Sequence, residues 1–207
     1  MNVHLYLFFM RVRDENKIDA IHEKAVEIIV QSGFDGLSMQ KLAKAANVSP
    51  ATLYIYFKDR DDLIQKVAEK EAAIMVAASL ENFDPRLPFA EGLTMQWKNR
   101  ARYWLQHPLQ AKFLEQVRHS PVGEEVYAKV KKEFQQVMSE FVKGAVKRNE
   151  LIALPIEVYW AVAFAPFYQL VKFHDDGKSM SGKPFKWSDA YMNQALQLVI
   201  KALTPEK

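Results

Sequence analysis

Cysteine is absent from this 207-residue chain, and glycine is scarce, with seven residues in all. Without cysteine the chain has no disulfide, no thiolate metal site and no cysteine nucleophile. The shortage of glycine argues against a loop-rich β fold. The formal net charge is only +3, so the chain is not globally basic. No Gly-rich phosphate loop, Gly-x-Ser-x-Gly or His-Glu-x-x-His motif occurs, and the sequence therefore predicts a protein that is not an enzyme.

The histidines carry no metal-binding signal. They are scattered at His4, His22, His107, His119 and His174, with no pair at the spacing of metal ligands. The sequence therefore predicts no metal, and nothing in it indicates a cofactor.

What the chain has in quantity is apolar residues at helical spacing. Hydrophobic residues make up 49% of it and aromatic residues 12%, which is ample for a buried interior. The periodicity predicts helices over 14–32, 59–80, 88–106, 109–118, 122–149, 156–173 and 187–203. No alternating strand pattern is present, so the predicted fold class is all-α.

Two further helices and the turn between them are legible between residues 37 and 63. Ser49 is a natural N-cap, and Pro50 after it suits the first helical position. Small Ala43 and Ala46 let two helices cross closely, and Asn47 accepts the positive φ that a tight turn requires. The pattern predicts a helix-turn-helix that binds DNA.

The same residues resemble the TetR family of bacterial regulators from about Ile18 to Leu63. The matching features are Ile18, Ala25, Ile28, Gly33-Phe34, Ser38-Met39, the run 52–58 and Asp61-Asp62-Leu63. Asn47 stands where the family usually has Gly, and Arg60 where it usually has Lys; both replacements are tolerable. The resemblance implies an N-terminal three-helix helix-turn-helix domain joined to a larger C-terminal helical bundle for ligand binding and dimerisation. We therefore expect an extension over 1–10, a DNA-binding domain over 11–63 and a second domain over 64–207.

The DNA-contacting residues follow from their positions on the two helices. Thr52 and Ala51 are expected closest to base edges, and Tyr54 and Tyr56 on the backbone or thymine methyls. The full predicted set is Ser38, Gln40, Lys41, Ser49, Pro50, Ala51, Thr52, Tyr54, Tyr56, Lys58 and Arg60. Lys41 and Arg60 are expected to hold phosphates, with Arg11 and Arg13 as further candidates. The operator is expected to be roughly palindromic double-stranded DNA.

The first ten residues are apolar but too short to span a bilayer, and they lack the features of a signal peptide. Our preferred interpretation is that Met10 is the physiological start and that the preceding stretch is an upstream extension. The alternative is an apolar arm packed on the body of the protein.

The last two helices have more apolar surface than one subunit can cover. A second subunit is expected to cover it, as the TetR resemblance also implies, through Trp160, Phe164, Val171, Tyr191, Ala195, Leu198 and Ala202. The alternative is a self-contained monomeric core.

A pocket for a small hydrophobic or amphipathic ligand is expected in the second domain. Its candidate lining is Trp97, Tyr103, Trp104, Phe113, Gln116, Phe134, Met138, Phe164, Phe167 and Tyr168. Pro166 removes a helical hydrogen bond and bends the axis, which can open space beside it.

These features together predict a cytoplasmic homodimeric transcription factor, a repressor released by a small molecule. The alternatives are an activator, a constitutive DNA binder without a ligand, or a helical interaction module that has lost DNA recognition.

Overall fold

The computed structural model describes the backbone of residues 3–206, and it describes side chains from Lys17 onward with the exception of Glu133. The described chain is helical, as predicted. Its α-helices are α1 Val3–Ser32, α2 Met39–Ala45, α3 Pro50–Tyr56, α4 Arg60–Ser79, α5 Phe89–Gln106, α6 Pro108–Arg118, α7 Gly123–Lys147, α8 Ile156–Asp175 and α9 Asp189–Leu203. A short 3-10 helix, Phe34–Gly36, lies between α1 and α2 and was not expected from the sequence.

The helix ends follow from local capping. The Asp59 carboxylate accepts the Asp62 backbone N–H at 2.9 Å and so begins α4 as predicted. Ser188 caps α9, which therefore begins at Asp189, two residues later than the predicted start at Trp187. Within the described residues, no helix is both long and apolar enough to cross a membrane.

The chain packs as two compact units. The first runs up to Ile74 and also includes His107–Val130; the second comprises Met75–Gln106 and Lys131–Lys207. The first unit is therefore larger than the predicted 11–63 module, because α6 packs against α1. A boundary between DNA-binding and ligand-binding functions at residues 63 and 64 stays a prediction.

Each unit has its own core. In the first, Ile21, Ala25 and Ile29 of α1 are fully buried together with Leu63 and Val67 of α4. In the second, the core is rich in aromatic rings from α5, α7 and α8, namely Phe89, Trp97, Phe141, Tyr159, Phe164 and Phe167. The predicted extension over 1–10 and the candidate phosphate contacts Arg11 and Arg13 lie outside the residues whose side chains are described.

Candidate nucleic-acid interface and ligand site

The helix-turn-helix is built by short-range hydrogen bonds that the sequence itself encodes. The Ser38 hydroxyl accepts the Lys41 N–H at 3.2 Å to begin α2, and the Ser49 hydroxyl accepts the Thr52 N–H at 3.1 Å to begin α3. Asn47 has a φ of 53°, the left-handed conformation that the predicted turn requires. Val48 then donates to the Ala43 carbonyl at 2.9 Å and closes the turn.

The inner face of this motif is fully packed. Leu42, Ala43, Leu53 and Phe57 have at most 3% of their surface exposed. These residues recur at helical spacing, so burying them turns the opposite face of α3 outward.

The outward face of α3 presents two large apolar side chains. Tyr54 is 56% exposed and Ile55 is 75% exposed. Ile55 was missing from the predicted set, although it lies midway between the inward Leu53 and Phe57 and therefore on the opposite side of the helix. An exposed isoleucine on a helix with one buried face is suited to apolar contact with a thymine methyl group.

The other predicted DNA residues divide by exposure. Those on the surface are Ser38, Gln40, Lys41, Ser49, Pro50, Ala51 and Lys58, and those partly buried are Thr52, Tyr56 and Arg60. The Thr52 hydroxyl is 2.9 Å from that of Ser49, so the cap partly engages it. Lys41 donates to the Gly36 carbonyl at 3.0 Å, but its side chain remains on the surface.

Arg60 is occupied within its own fold. Its Nε donates to the Leu37 carbonyl at 2.9 Å, its Nη2 donates to the Phe34 carbonyl, and its Nη1 pairs with Asp61 at 2.9 Å. These contacts tie the start of α4 to the segment that precedes α2. They favour a structural role for Arg60 over the predicted phosphate contact, which stays untested.

Asp62 organises the cations that follow α3. It accepts the Lys58 backbone N–H at 2.8 Å and pairs with Lys66 at 2.9 Å. The hydrogen bond from Lys66, followed by that from the Lys58 backbone, holds the pKa of the Asp62 carboxyl below its usual value. Lys58 uses only its backbone in this arrangement, and its exposed ammonium group is well suited to a phosphate.

Most of the predicted ligand residues come together in the second unit. Trp97 and Phe167 contact edge to face with ring centroids 5.5 Å apart, and Trp104 lies 5.5 Å from Tyr168. Trp97, Phe164 and Phe167 are fully buried, and Trp104 is partly buried. Tyr103 and Met138 are also buried, and Phe134 and Tyr168 are partly buried.

A tryptophan side chain donates a hydrogen bond to the backbone of α8 close to Pro166, where a bend is expected. Proline at position 166 leaves the Val162 carbonyl without its helical donor. One residue further on, the Ala163 carbonyl accepts a hydrogen bond from the Trp97 indole at 2.9 Å. Trp97 therefore anchors α5 to α8 close to Pro166.

Two predicted pocket residues are not part of this cluster. Phe113 and Gln116 lie on α6 and belong to the first unit. Phe113 is fully buried, and Gln116 donates to the Val30 carbonyl of α1 at 3.5 Å. Both residues serve the packing of α6 against α1. A single sequence does not distinguish a helix face that packs on another helix from one that lines a pocket.

A surface cleft of about 470 Å³ lies between α5 and α9. Its lining is Ala90, Glu91, Thr94, Met95, Lys98, Asn99, Arg102, Gln197 and Ile200, none of which was predicted to contact a ligand.

The apolar residues of α9 fall into a buried stripe and an exposed one. Met192, Leu196, Val199 and Leu203 are buried, whereas Tyr191 and Leu198 are 53% and 65% exposed. Ala195 is partly buried and Ala202 is exposed. The exposed stripe remains available to a second subunit.

On α8 the predicted interface needs correction. Phe164 is fully buried and Val171 is 6% exposed, so the subunit's own core already covers them. Trp160 is partly buried and packs on Phe164 with centroids 4.5 Å apart. The exposed large apolar residues of this helix are instead Ile156 and Val158, at 54% and 45%.

Comparison with known proteins assigns the helix-turn-helix. Residues 21–67 match the family described as bacterial regulatory proteins, tetR family. A TetR family transcription regulator from Marinobacter aquaeolei has the same fold, with a TM-score of 0.76, 28% identity, and coverage of 95% of this chain and 100% of that one. Residues 21–67 therefore match the DNA-binding segment of the TetR family.

Two curated relatives extend the comparison. An uncharacterized HTH-type transcriptional regulator from Haemophilus influenzae is 30% identical over 122 residues, which are 59% of this chain and 65% of that protein. The fatty acid metabolism regulator protein of Bacillus subtilis is 27% identical over 75 residues, 36% of this chain and 39% of that one. The chain thus matches less than two thirds of the length of these relatives. Its helix-turn-helix is the DNA-binding module of a transcriptional regulator.

Proposed function

We propose that this protein is a repressor that binds a roughly palindromic operator as a homodimer and leaves it when a small molecule binds. The observation that carries the DNA-binding part is the outward face of α3. That face exposes Tyr54 and Ile55 on a helix whose start is capped and whose inner side is buried, inside the segment that matches the family. Nothing in this arrangement resembles catalytic machinery, so we expect no enzymatic activity. Because the protein acts on DNA, we expect it in the cytoplasm.

The dimer part is supported by the exposed apolar residues of the last two helices. Val158 on α8 and Tyr191 and Leu198 on α9 are each between 45% and 65% exposed. A monomer gains nothing from leaving such residues in water, whereas a symmetric partner presenting the same stripe would bury them. A dimer carries two reading helices, so half-sites roughly 34–36 Å apart are expected.

The ligand part is supported by the aromatic cluster of the second unit and by the continuity of α4. That helix begins at Arg60, directly after the reading helix, and ends at Ser79, inside the second unit. A ligand can release DNA only through its differential affinity for the two states of the protein. The Bacillus subtilis relative is a fatty acid metabolism regulator, which favours a regulator that responds to a small molecule.

Selection of bound sequences from random duplex DNA, followed by footprinting, tests the proposal. We expect a site with approximate two-fold symmetry. Tyr54→Ala and Ile55→Ala should each weaken binding to that site by roughly tenfold or more, as loss of base recognition usually does. Lys132→Ala, which removes an exposed cation of α7, is the matched control and should bind normally. Unchanged affinity in both α3 variants would contradict the assignment of the reading helix.

Adding candidate ligands to the same footprint distinguishes the remaining alternatives. A repressor released by ligand loses protection when the right compound is added. Protection that persists with every compound indicates a constitutive binder, and increased transcription from the bound promoter indicates an activator.

A further inference from the structure

The second unit contains a buried cation that no acid among the described side chains neutralises. Arg100 on α5 is 4% exposed, and no carboxylate among the described side chains lies within ion-pairing distance of it. Its hydrogen bonds to described groups both start from Nη1, and both go to Gln96, to the side-chain oxygen and at 3.4 Å to the backbone carbonyl. A buried guanidinium is normally paired, because removing a charge from water is costly.

Aromatic rings surround this guanidinium. Its central carbon lies 4.6 Å from the ring centroid of Phe164, 5.7 Å from that of Phe134 and 5.9 Å from that of Trp160. The negative faces of the rings offset part of the charge. They do not supply acceptors in the plane of the guanidinium fork, where a carboxylate binds.

A second polar group nearby also lacks a partner. The hydroxyl of Tyr159 is buried and makes no hydrogen bond to any described group, and the residue is 1% exposed. Burial raises the pKa of this phenol, and the charge of Arg100 opposes that rise, so the hydroxyl is a neutral donor within the field of the guanidinium. An unsatisfied buried hydroxyl costs stability unless a ligand or water completes it.

We propose that Arg100 and Tyr159 bind the head group of an organic acid whose apolar body packs on the aromatic rings of the second unit. The inference rests on the proposed ligand-responsive function and specifies its ligand class as an amphipathic carboxylate. The Arg100 guanidinium only donates and carries a positive charge, and the Tyr159 hydroxyl can donate to the same group, so together they select an acceptor of negative charge over a neutral or cationic head. Phe134 and Trp160 are only partly buried and lie on the outer side of the site.

The same residues connect the site to α4. Gln96, which accepts from Arg100, donates through its own amide to the carbonyl of Ser79 at 3.1 Å, and Asn99 donates to that carbonyl at 3.2 Å. Ser79 is the last residue of α4. A carboxylate that draws Arg100 away from Gln96 therefore perturbs the contact that fixes the end of this helix.

The test measures ligand binding to the full-length protein without DNA, by tryptophan fluorescence and calorimetry. The probes are straight-chain carboxylates of four to sixteen carbons and naphthoate, each paired with the alcohol of the same skeleton. We expect at least one acid to bind roughly tenfold or more tightly than its alcohol, since a charge-assisted hydrogen bond typically provides that much. Equal binding of acid and alcohol, or binding of no acid at all, overturns the proposal.

Three variants assign the head-group contact. Arg100→Met should lose the preference for the acid over the alcohol, and Tyr159→Phe should reduce it. Arg102→Met is the control, because Arg102 lies on the same helix but pairs with Glu81 at 3.0 Å on the surface. Retention of the acid preference in Arg100→Met contradicts the proposal.

Thermal unfolding separates this role from a structural one. If Arg100 is present to bind a ligand, its buried charge costs stability while the site is empty. The ligand-free Arg100→Met protein should then melt at the same temperature as the wild type or higher. A marked fall in melting temperature would show that Arg100 serves packing and would overturn the proposal. Footprinting with the bound acid is a separate measurement. If the acid binds but DNA protection persists, the site assignment stands and release by ligand fails.

Discussion

His22 makes the stability of the first unit depend on pH. The imidazole is 8% exposed, packs against Phe57 with ring centroids 6.2 Å apart, and leaves Nδ1 without a hydrogen-bond partner among the described groups. Burial, reinforced by the charge of Lys70 and opposed by that of Asp19, lowers the pKa of His22 from 6.5 to about 4. The folded state therefore keeps this histidine neutral where the unfolded chain protonates it.

The sign and size of the effect follow by linkage. Between pH 6.5 and pH 4 the unfolded chain binds more protons at this site, so stability falls as the pH falls. The stabilisation is complete above pH 6.5 and is lost progressively toward pH 4, below which this group adds no further loss. Two and a half pKa units correspond to about 3 kcal/mol in full, of which about 2 kcal/mol is lost by pH 5.

Urea unfolding followed by far-ultraviolet circular dichroism at pH 8 and pH 5 measures this loss, at one protein concentration so that any dimerisation stays constant. Other groups also titrate, so the comparison is with His22→Leu. We expect the wild type to lose about 2 kcal/mol more than this variant between the two pH values. His119→Leu, which replaces an exposed histidine of the same unit, should behave like the wild type. Equal losses in the wild type and His22→Leu would refute the reasoning.

Four further substitutions test packing, DNA contact and assembly. Gly92→Ala should lower the free energy of unfolding, measured by calorimetry, by about 1–2 kcal/mol. The new Cβ would lie 2.3 Å from the Phe141 ring, and this clash costs more than the higher helix propensity of alanine contributes. Lys58→Ala should flatten the slope of log K for DNA binding against log salt concentration by roughly one unit. Arg60→Ala should instead lower the free energy of unfolding of the first unit by about 1–3 kcal/mol, because the Leu37 and Phe34 carbonyls lose their hydrogen bonds from the guanidinium. Leu198→Glu should shift sedimentation toward a monomer, because it places a charge in the exposed stripe of α9; an unchanged dimer would remove that stripe from the interface.

Helix caps and turns could be predicted from the sequence because the interactions that form them involve only a few neighbouring residues. Ser38, Ser49 and Asp59 cap the helices that they were expected to begin or precede, and Asn47 takes the positive φ that was expected of it. A cap or a turn depends on neighbouring residues, so it is visible in the sequence before any tertiary contact forms.

The candidate ligand and dimer residues were harder because periodicity identifies an apolar face without identifying what covers it. Phe164 and Val171 belong to the subunit's own core, and Phe113 and Gln116 pack in the first unit. In each case the residue type and spacing fit both the expected role and the observed one. Only the arrangement of the helices distinguishes them.

The sequence by itself determined the helical class, the helix-turn-helix and its resemblance to the TetR family, since these rest on capping, spacing and residue identity within one continuous segment. The tertiary structure decided which distant groups meet. It joined Arg60 to carbonyls more than twenty positions earlier in the chain, at Phe34 and Leu37, and it enclosed Arg100 among rings from α7 and α8, with no acid among the described side chains paired to it. Such contacts arise from packing between elements far apart in sequence, and no local preference of either residue encodes them.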